Sequence, residues 1–244
     1  MILAILSDIH ANYTALNAVL DNLDATGGYD AVAVLGDLIN YGPRPNEVVE
    51  RIRALEDRII INLWGNHELS LTGECMDRFA TERGRRVPEY TRRLLTGDNM
   101  DYISTRMNRC GRQTLTIDGR RFLFVHGTLD DCFWGKMTLD ELAKPDYGQF
   151  DYVLAGHSHV PMYLEHFLPA DNPAYRNKRR TVFINPGSVG QPRNHNPLAQ
   201  YGLLDTLTGE YAHKCVSYDI EAEQRLYDTK SIDIFYKQRL KNGI

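Results

Sequence analysis

The stretch "ILAILSDIH" (residues 2–10) is an unbroken apolar run that stops abruptly at polar residues. A strand with one wet face alternates apolar and polar side chains. A continuous run instead marks a strand covered on both faces, as in a sheet with helices packed on it. Downstream, residues 12–23 place Ala15, Leu16, Val19, Leu20 and Leu23 on one helical face. The strand pattern returns in "DAVAVLGD" (30–37), and a helix is expected over 45–55, with proline at its start where the missing N–H is harmless. A third apolar run is "RIIINLWGN" (58–66). This β-α-β-α-β alternation predicts an α/β sheet flanked by helices.

From about residue 69 to 109 the chain turns polar, Arg-rich and helical in period. Strand signals follow. "QTLTIDGRRFLFVHG" (113–127) holds Asp118-Gly119 between two strand-like runs, a hairpin signal. "DYVLAGHSH" (151–159), "RTVFINPGS" (180–188) and "YGLLDTLTGEYAHKCVSYD" (201–219) continue the strand-rich half, the last with a turn at Thr208-Gly209. Short helices are expected over 221–226 and 234–240. With no repeat, low-complexity tract or linker, the chain reads as one domain, 1–244, with a helical insertion at 69–109 that is a candidate cap.

Composition narrows the class. The 244 residues are 43% hydrophobic and 25% charged, as in soluble globular proteins. A net charge of -4 speaks against an extended nucleic-acid surface but not against a local basic patch. Cys75, Cys110, Cys132 and Cys215 form no C-x-x-C pair, which suits free thiols in a reducing compartment. The first ten residues lack a basic n-region and meet Asp8 too early for a signal peptide. No apolar run approaches the ~20 residues of a membrane span. A cytoplasmic location without membrane contact is expected; the oligomeric state is left open.

The polar residues beyond each apolar run form a set. Asp8 and His10 follow the first, Asp37 the second, Asn66 and His67 the third, His126 the hairpin's second strand, and His157 and His159 the next. Ligands of open α/β sheets gather at carboxyl ends of strands, so these residues should converge in space. Singly, each has an ordinary reading: Asp8 as a helix cap, Asp37 and Asn66 as turn residues, His126 as a buried, bonded histidine. Together, oxygen and imidazole donors without thiolate suit borderline divalent metals such as Mn, Fe, Zn or Ni. Seven candidate ligands are too many for one ion and divide over two, with one carboxylate bridging. Paired ions of that kind serve displacement at phosphorus.

The blocks "SDIH", "LGDLINYG", "WGNHE", "FVHG" and "AGHSH" stand in the order of those of the calcineurin-like metallophosphoesterases, which the chain resembles from Asp8 to His159 and again in "INPGSVGQPR" (184–193). The resemblance implies a two-sheet α/β/β/α sandwich and two divalent metal ions. It implies that Asp8, His10 and His159 hold the first ion, that Asp37 bridges, and that Asn66, His126 and His157 hold the second. His67 would face the substrate, protonated, to stabilise the transition state or donate a proton. The implied activity is hydrolysis of a small phosphomonoester or phosphodiester by a metal-bridging hydroxide. Alternatives on the same fold are a dinucleoside-polyphosphate hydrolase, a serine/threonine-phosphatase-like activity, and a scaffold without catalysis.

Relatives of the protein-phosphatase type carry D-R-G after the G-D block, where this chain has Asn40-Tyr41-Gly42. Arg44 is therefore a candidate phosphate contact, with an exposed loop arginine as the alternative reading. Arg193 is a weaker one. The insertion's Arg78, Arg83, Arg85, Arg86, Arg92 and Arg93 read as a solvated helix face laced with Glu82 and Glu89. His166, His195 and His213 follow no block.

Overall fold

A computed structural model describes residues 1–171, 173–230 and 232–244. The first half runs β1 (Ile2–Leu6), α1 (Tyr13–Ala25), β2 (Ala31–Val34), α2 (Pro45–Arg53), β3 (Ile59–Asn62) and α3 (Asn66–Ser70). Two helices follow, α4 (Glu82–Leu94) and α5 (Gly97–Thr105), then the hairpin β4 (Arg112–Ile117) and β5 (Arg120–Val125). The rest comprises α6 (Leu139–Leu142), β6 (Tyr152–Ala155), β7 (Met162–Pro169), β8 (Lys178–Asn185), β9 (Ala199–Asp205), β10 (Tyr211–Val216), α7 (Ile220–Thr229) and α8 (Ile234–Asn242).

These strands form two five-stranded mixed sheets, ordered β10-β9-β1-β2-β3 and β4-β5-β6-β8-β7. β1, β2 and β3 are parallel neighbours, as are β5, β6 and β8. The unbroken apolar run of β1 has its reason in the layering. Leu3 and Ile5 join Phe122, Phe124, Leu154 and Ile184 between the sheets. Ala4 and Leu6 join Leu16, Val19 and Leu20 of α1 on the outer face. The second sheet is covered likewise, Val125 and Phe183 meeting Leu142, Tyr147 and Phe150. Each fully buried large side chain contributes roughly 1.5–3 kcal/mol relative to exposure. The result is a rigid platform for the loops at one end.

The expected hairpin turn lies at Asp118 (φ 48°) and Gly119 (φ 74°), both left-handed as a type I′ turn requires. Asn12 caps α1 rather than opening it, its side chain accepting from Ala15 N at 3.0 Å. β3 stops at Asn62, short of the expected 66, because Leu63 bridges to Asn108 and Trp64 N donates to Asn108 O at 2.9 Å. β7 escapes the sequence reading. It is an edge strand with Tyr163 and Phe167 exposed, so its apolar side chains do not mark one covered face. No helix among the described residues is long and apolar enough to cross a membrane.

Candidate metal centre

The parallel strands of both sheets deliver their carboxyl ends to one place. Asp8 and His10 follow β1, Asp37 follows β2, Asn66 and His67 open α3, His126 follows β5, and His157 and His159 follow β6. All are buried except His157, which is half-buried. The loops are cross-tied: Asp8 N donates to Gly36 O (3.1 Å), His10 N to Asp37 O (2.9 Å) and Gly156 N to His126 O (3.0 Å). Five of the seven candidate ligands, Asp8, His10, Asp37, His157 and His159, have φ between 49° and 63°. Left-handed backbone costs a non-glycine residue of order 1–3 kcal/mol and persists only where the surroundings enforce it. Its concentration in these loops marks a constructed site.

Imidazole orientation is fixed from behind. Carbonyls accept from Nδ1 of His10 (Ile39 O, 3.0 Å), His126 (Leu35 O, 2.7 Å) and His159 (Gln191 O, 2.6 Å). That sets the tautomer and turns each Nε2 lone pair inward. His10 Nε2 and His159 Nε2 then face each other at 3.1 Å, with Asp8 Oδ1 3.2 Å from the latter. Asp8 Oδ2 is spent on Ser7 Oγ (2.6 Å) and His157 N (3.1 Å), whereas buried Oδ1 has no hydrogen-bond donor. Two lone pairs and an orphaned carboxylate oxygen converging without a donor fit a cation. Asp8, His10, Asp37 and His159 make one such group, and Asp37, His126 and His157 a second. Asn66 Oδ1 belongs to the second, 3.1 Å from both His126 Nε2 and His157 Nδ1.

Electrostatics agree with this geometry for the imidazoles of the first group. Burial drives His10 and His159 well below the ordinary imidazole range, so both stay neutral and available as ligands. Burial also raises Asp8 to about 7. Asp37 differs: burial would raise it, but the imidazoles of His126 and His67 outweigh burial and hold it well below the usual carboxylate range. His126 is held up at about 9, its own burial being overcome by Asp37 and Asp8, so a cation bound at this ring would displace its proton.

Glu68, which the sequence reading left without a role, sets the loop that carries Asp37. Fully buried, it accepts from the backbone N–H of Asp37, Leu38 and Gly65, each at 2.8 Å. Losing it would leave three buried donors unpaired, at about 1–3 kcal/mol each. The readable signal is its place three residues after the helix-capping Gly65. Gly65 itself has no room for a side chain, since a Cβ there would lie 2.1 Å from Asp37 Oδ1.

His67 stands beside both groups, its Nε2 4.0 Å from Asp37 Oδ2. Asn40 Nδ2 lies 2.8 Å from His67 Nδ1 and within reach of His67 O and Ser70 Oγ, so the Asn40 side chain holds the ring from behind and leaves Nε2 facing the donor groups. Burial, reinforced by Arg193 and His126 against the pull of Asp37, lowers His67 to about 4. Burial thus works against the protonated ring that the resemblance implies. Tyr41 (4.4 Å) and Phe79 of the 69–109 segment (5.3 Å) meet it edge-on.

Arg44 is not part of this assembly. Its guanidinium is bound by Glu223 and Thr14 and lies over the Tyr13 ring at 4.8 Å. The buried Glu223 carboxylate explains the position: an arginine freed toward a substrate would leave that charge unpaired. In the 69–109 segment, Arg86 and Arg93 pair with Glu82 and Glu89 one turn away, as a solvated face requires.

A sandwich of two mixed sheets whose parallel strands end in buried carboxylates and imidazoles defines a class, the metal-dependent phosphoester hydrolases. The calcineurin-like phosphoesterase superfamily domain matches residues 1–209, and the chain belongs to that superfamily. A metallophosphoesterase from Sphaerobacter thermophilus superposes over the whole of both chains with a TM-score of 0.78 at 27% identity. The MJ0912 protein of Methanocaldococcus jannaschii is 29% identical over 223 residues, 90% of this chain and 88% of its own. The phosphodiesterase YfcE of Escherichia coli K12 is 26% identical over 211 residues, 82% of this chain and 84% of its own.

Proposed function

We propose that this chain hydrolyses a small phosphoester at a centre of two divalent cations. Asp8, His10 and His159 would hold one, Asn66, His126 and His157 the other, with Asp37 shared. The observation that carries this reading is the position of Asp37 Oδ2, 3.7 Å from His10 Nε2 and 3.4 Å from His126 Nε2. One oxygen thus faces both donor groups while the other is tied to His67 N at 2.9 Å. Mixed nitrogen and oxygen donors without thiolate favour Mn, Fe, Zn or Ni. Such ions, when bound, activate water and neutralise charge on phosphoryl oxygens. His67 presents an N–H to the leaving oxygen, and Tyr41 and Phe79 keep water from that bond.

The test is turnover of p-nitrophenyl phosphate and bis-p-nitrophenyl phosphate by chelated protein before and after Mn²⁺ is restored. Hydrolysis of at least one ester is expected to appear only with metal. Two bound ions with no hydrolysis of either would favour a binding scaffold instead.

A further inference from the structure

α8 carries a charge that neither the fold nor the metal centre uses. Tyr236 and Arg239 are three residues apart and so share one helix face. Tyr236 stacks on Tyr41 at 4.6 Å, and Tyr41 in turn lies 4.6 Å from the His10 ring, so this face abuts the metal centre. There Arg239 meets Arg193. Gln191 Oε1 accepts from both, from Arg193 Nη2 at 3.3 Å and Arg239 Nη1 at 3.4 Å. The same loop is fastened to a ligand, since Gln191 O accepts from His159 Nδ1 and Arg193 N donates to His159 O at 3.2 Å.

Two like charges around one amide oxygen repel, and among the described residues no Asp or Glu side chain pairs with either. Arg239 Nε donates to the Ile244 oxygen, and the Phe235 ring lies 5.1 Å from its guanidinium. Arg193 Nε and Gln191 Nε2 are buried with no acceptor at all. Buried donors without an acceptor, beside two guanidiniums that no Asp or Glu side chain pairs, are the complement of a multiply charged oxyanion. Arg193 is near enough for its charge to act on Asp8, His10, His67, His157 and His159.

We propose that Arg193 and Arg239, spaced by Gln191, form an oxyanion clamp that selects substrates with a terminal, dianionic phosphate over internal diesters carrying a single charge. This rests on the proposed phosphoester hydrolysis and adds the substrate class. A terminal phosphate keeps a third unesterified oxygen for the clamp; a diester does not.

Two measurements on the Mn²⁺-loaded full chain separate the clamp from the activity. The first is inorganic phosphate binding by titration calorimetry. Arg239→Ala is expected to weaken it at least tenfold with metal content unchanged, and Arg239→Lys, which keeps the charge, to recover most of the loss. The second is kcat/KM: Arg239→Ala should lose at least tenfold on p-nitrophenyl phosphate and less than threefold on bis-p-nitrophenyl phosphate. Phosphate binding within twofold of the parent, no phosphate binding by the parent itself, a lysine variant as weak as alanine, or equal loss on both esters would each overturn the clamp. Hydrolysis of neither ester by the parent would instead overturn the proposed function, while phosphate binding still judges the arginines.

Discussion

Asp37→Asn is expected to take the protein from two bound divalent ions to fewer than one and to abolish most turnover. Asparagine tolerates the left-handed backbone at φ 57°, so the loop is not asked to move. Its Oδ1 can still accept from His67 N, and the buried volume is unchanged. What disappears is the negative charge on the one oxygen facing both His10 and His126. Either group alone then offers at most one carboxylate, and the second offers none, which is poor provision for a divalent cation. Loss of an outer-shell partner alone costs ~10–100-fold in metal affinity, and a shared ligand should exceed that. Turnover should fall by at least the ~10³-fold associated with losing a main charge-stabilising group. Metal analysis beside a rate measurement checks this; two retained ions with rates within tenfold would remove Asp37 from its bridging role.

His67→Ala should behave differently, keeping both metals and losing rate. The side chain belongs to neither donor group, and Nε2 is the ring nitrogen left to face a substrate, Nδ1 being held by Asn40. Removing a positioned hydrogen-bond donor or acid typically lowers kcat by ~10²–10⁴-fold. Burial disfavours the imidazolium, so the role proposed for the ring is a hydrogen bond to the leaving oxygen. The loss should therefore grow with the basicity of the leaving group, being larger for an alkyl than for a p-nitrophenyl ester. Activity within a few-fold of the parent on both esters would show that His67 does not contact the reacting group.

How much of this was legible before the structure depended on the range of the interaction. The covered strands announced themselves, since Leu3 and Ala4 serve opposite faces and both must be apolar. The seven donors could be collected because each sits within four residues of a strand end. Glu68 was in plain view but unread, its function lying in three backbone amides and not in a partner side chain. Asn40 reads as a missing D-R-G, yet its amide orients His67. Arg44 was misdirected by its distance from Glu223, 179 residues on, which no local pattern connects. Arg239 lay in an unremarkable terminal helix whose docking against Tyr41 only tertiary packing creates.

The central claim, two cations in two distinct donor groups sharing Asp37, is tested most directly by locating bound metal in crystals by anomalous diffraction for the parent, His157→Ala and His159→Ala. Two peaks are predicted in the parent. His157→Ala should lose the one beside Asn66 and His126, and His159→Ala the one beside Asp8 and His10. A single peak in the parent, or equal loss of both peaks in both variants, would contradict it.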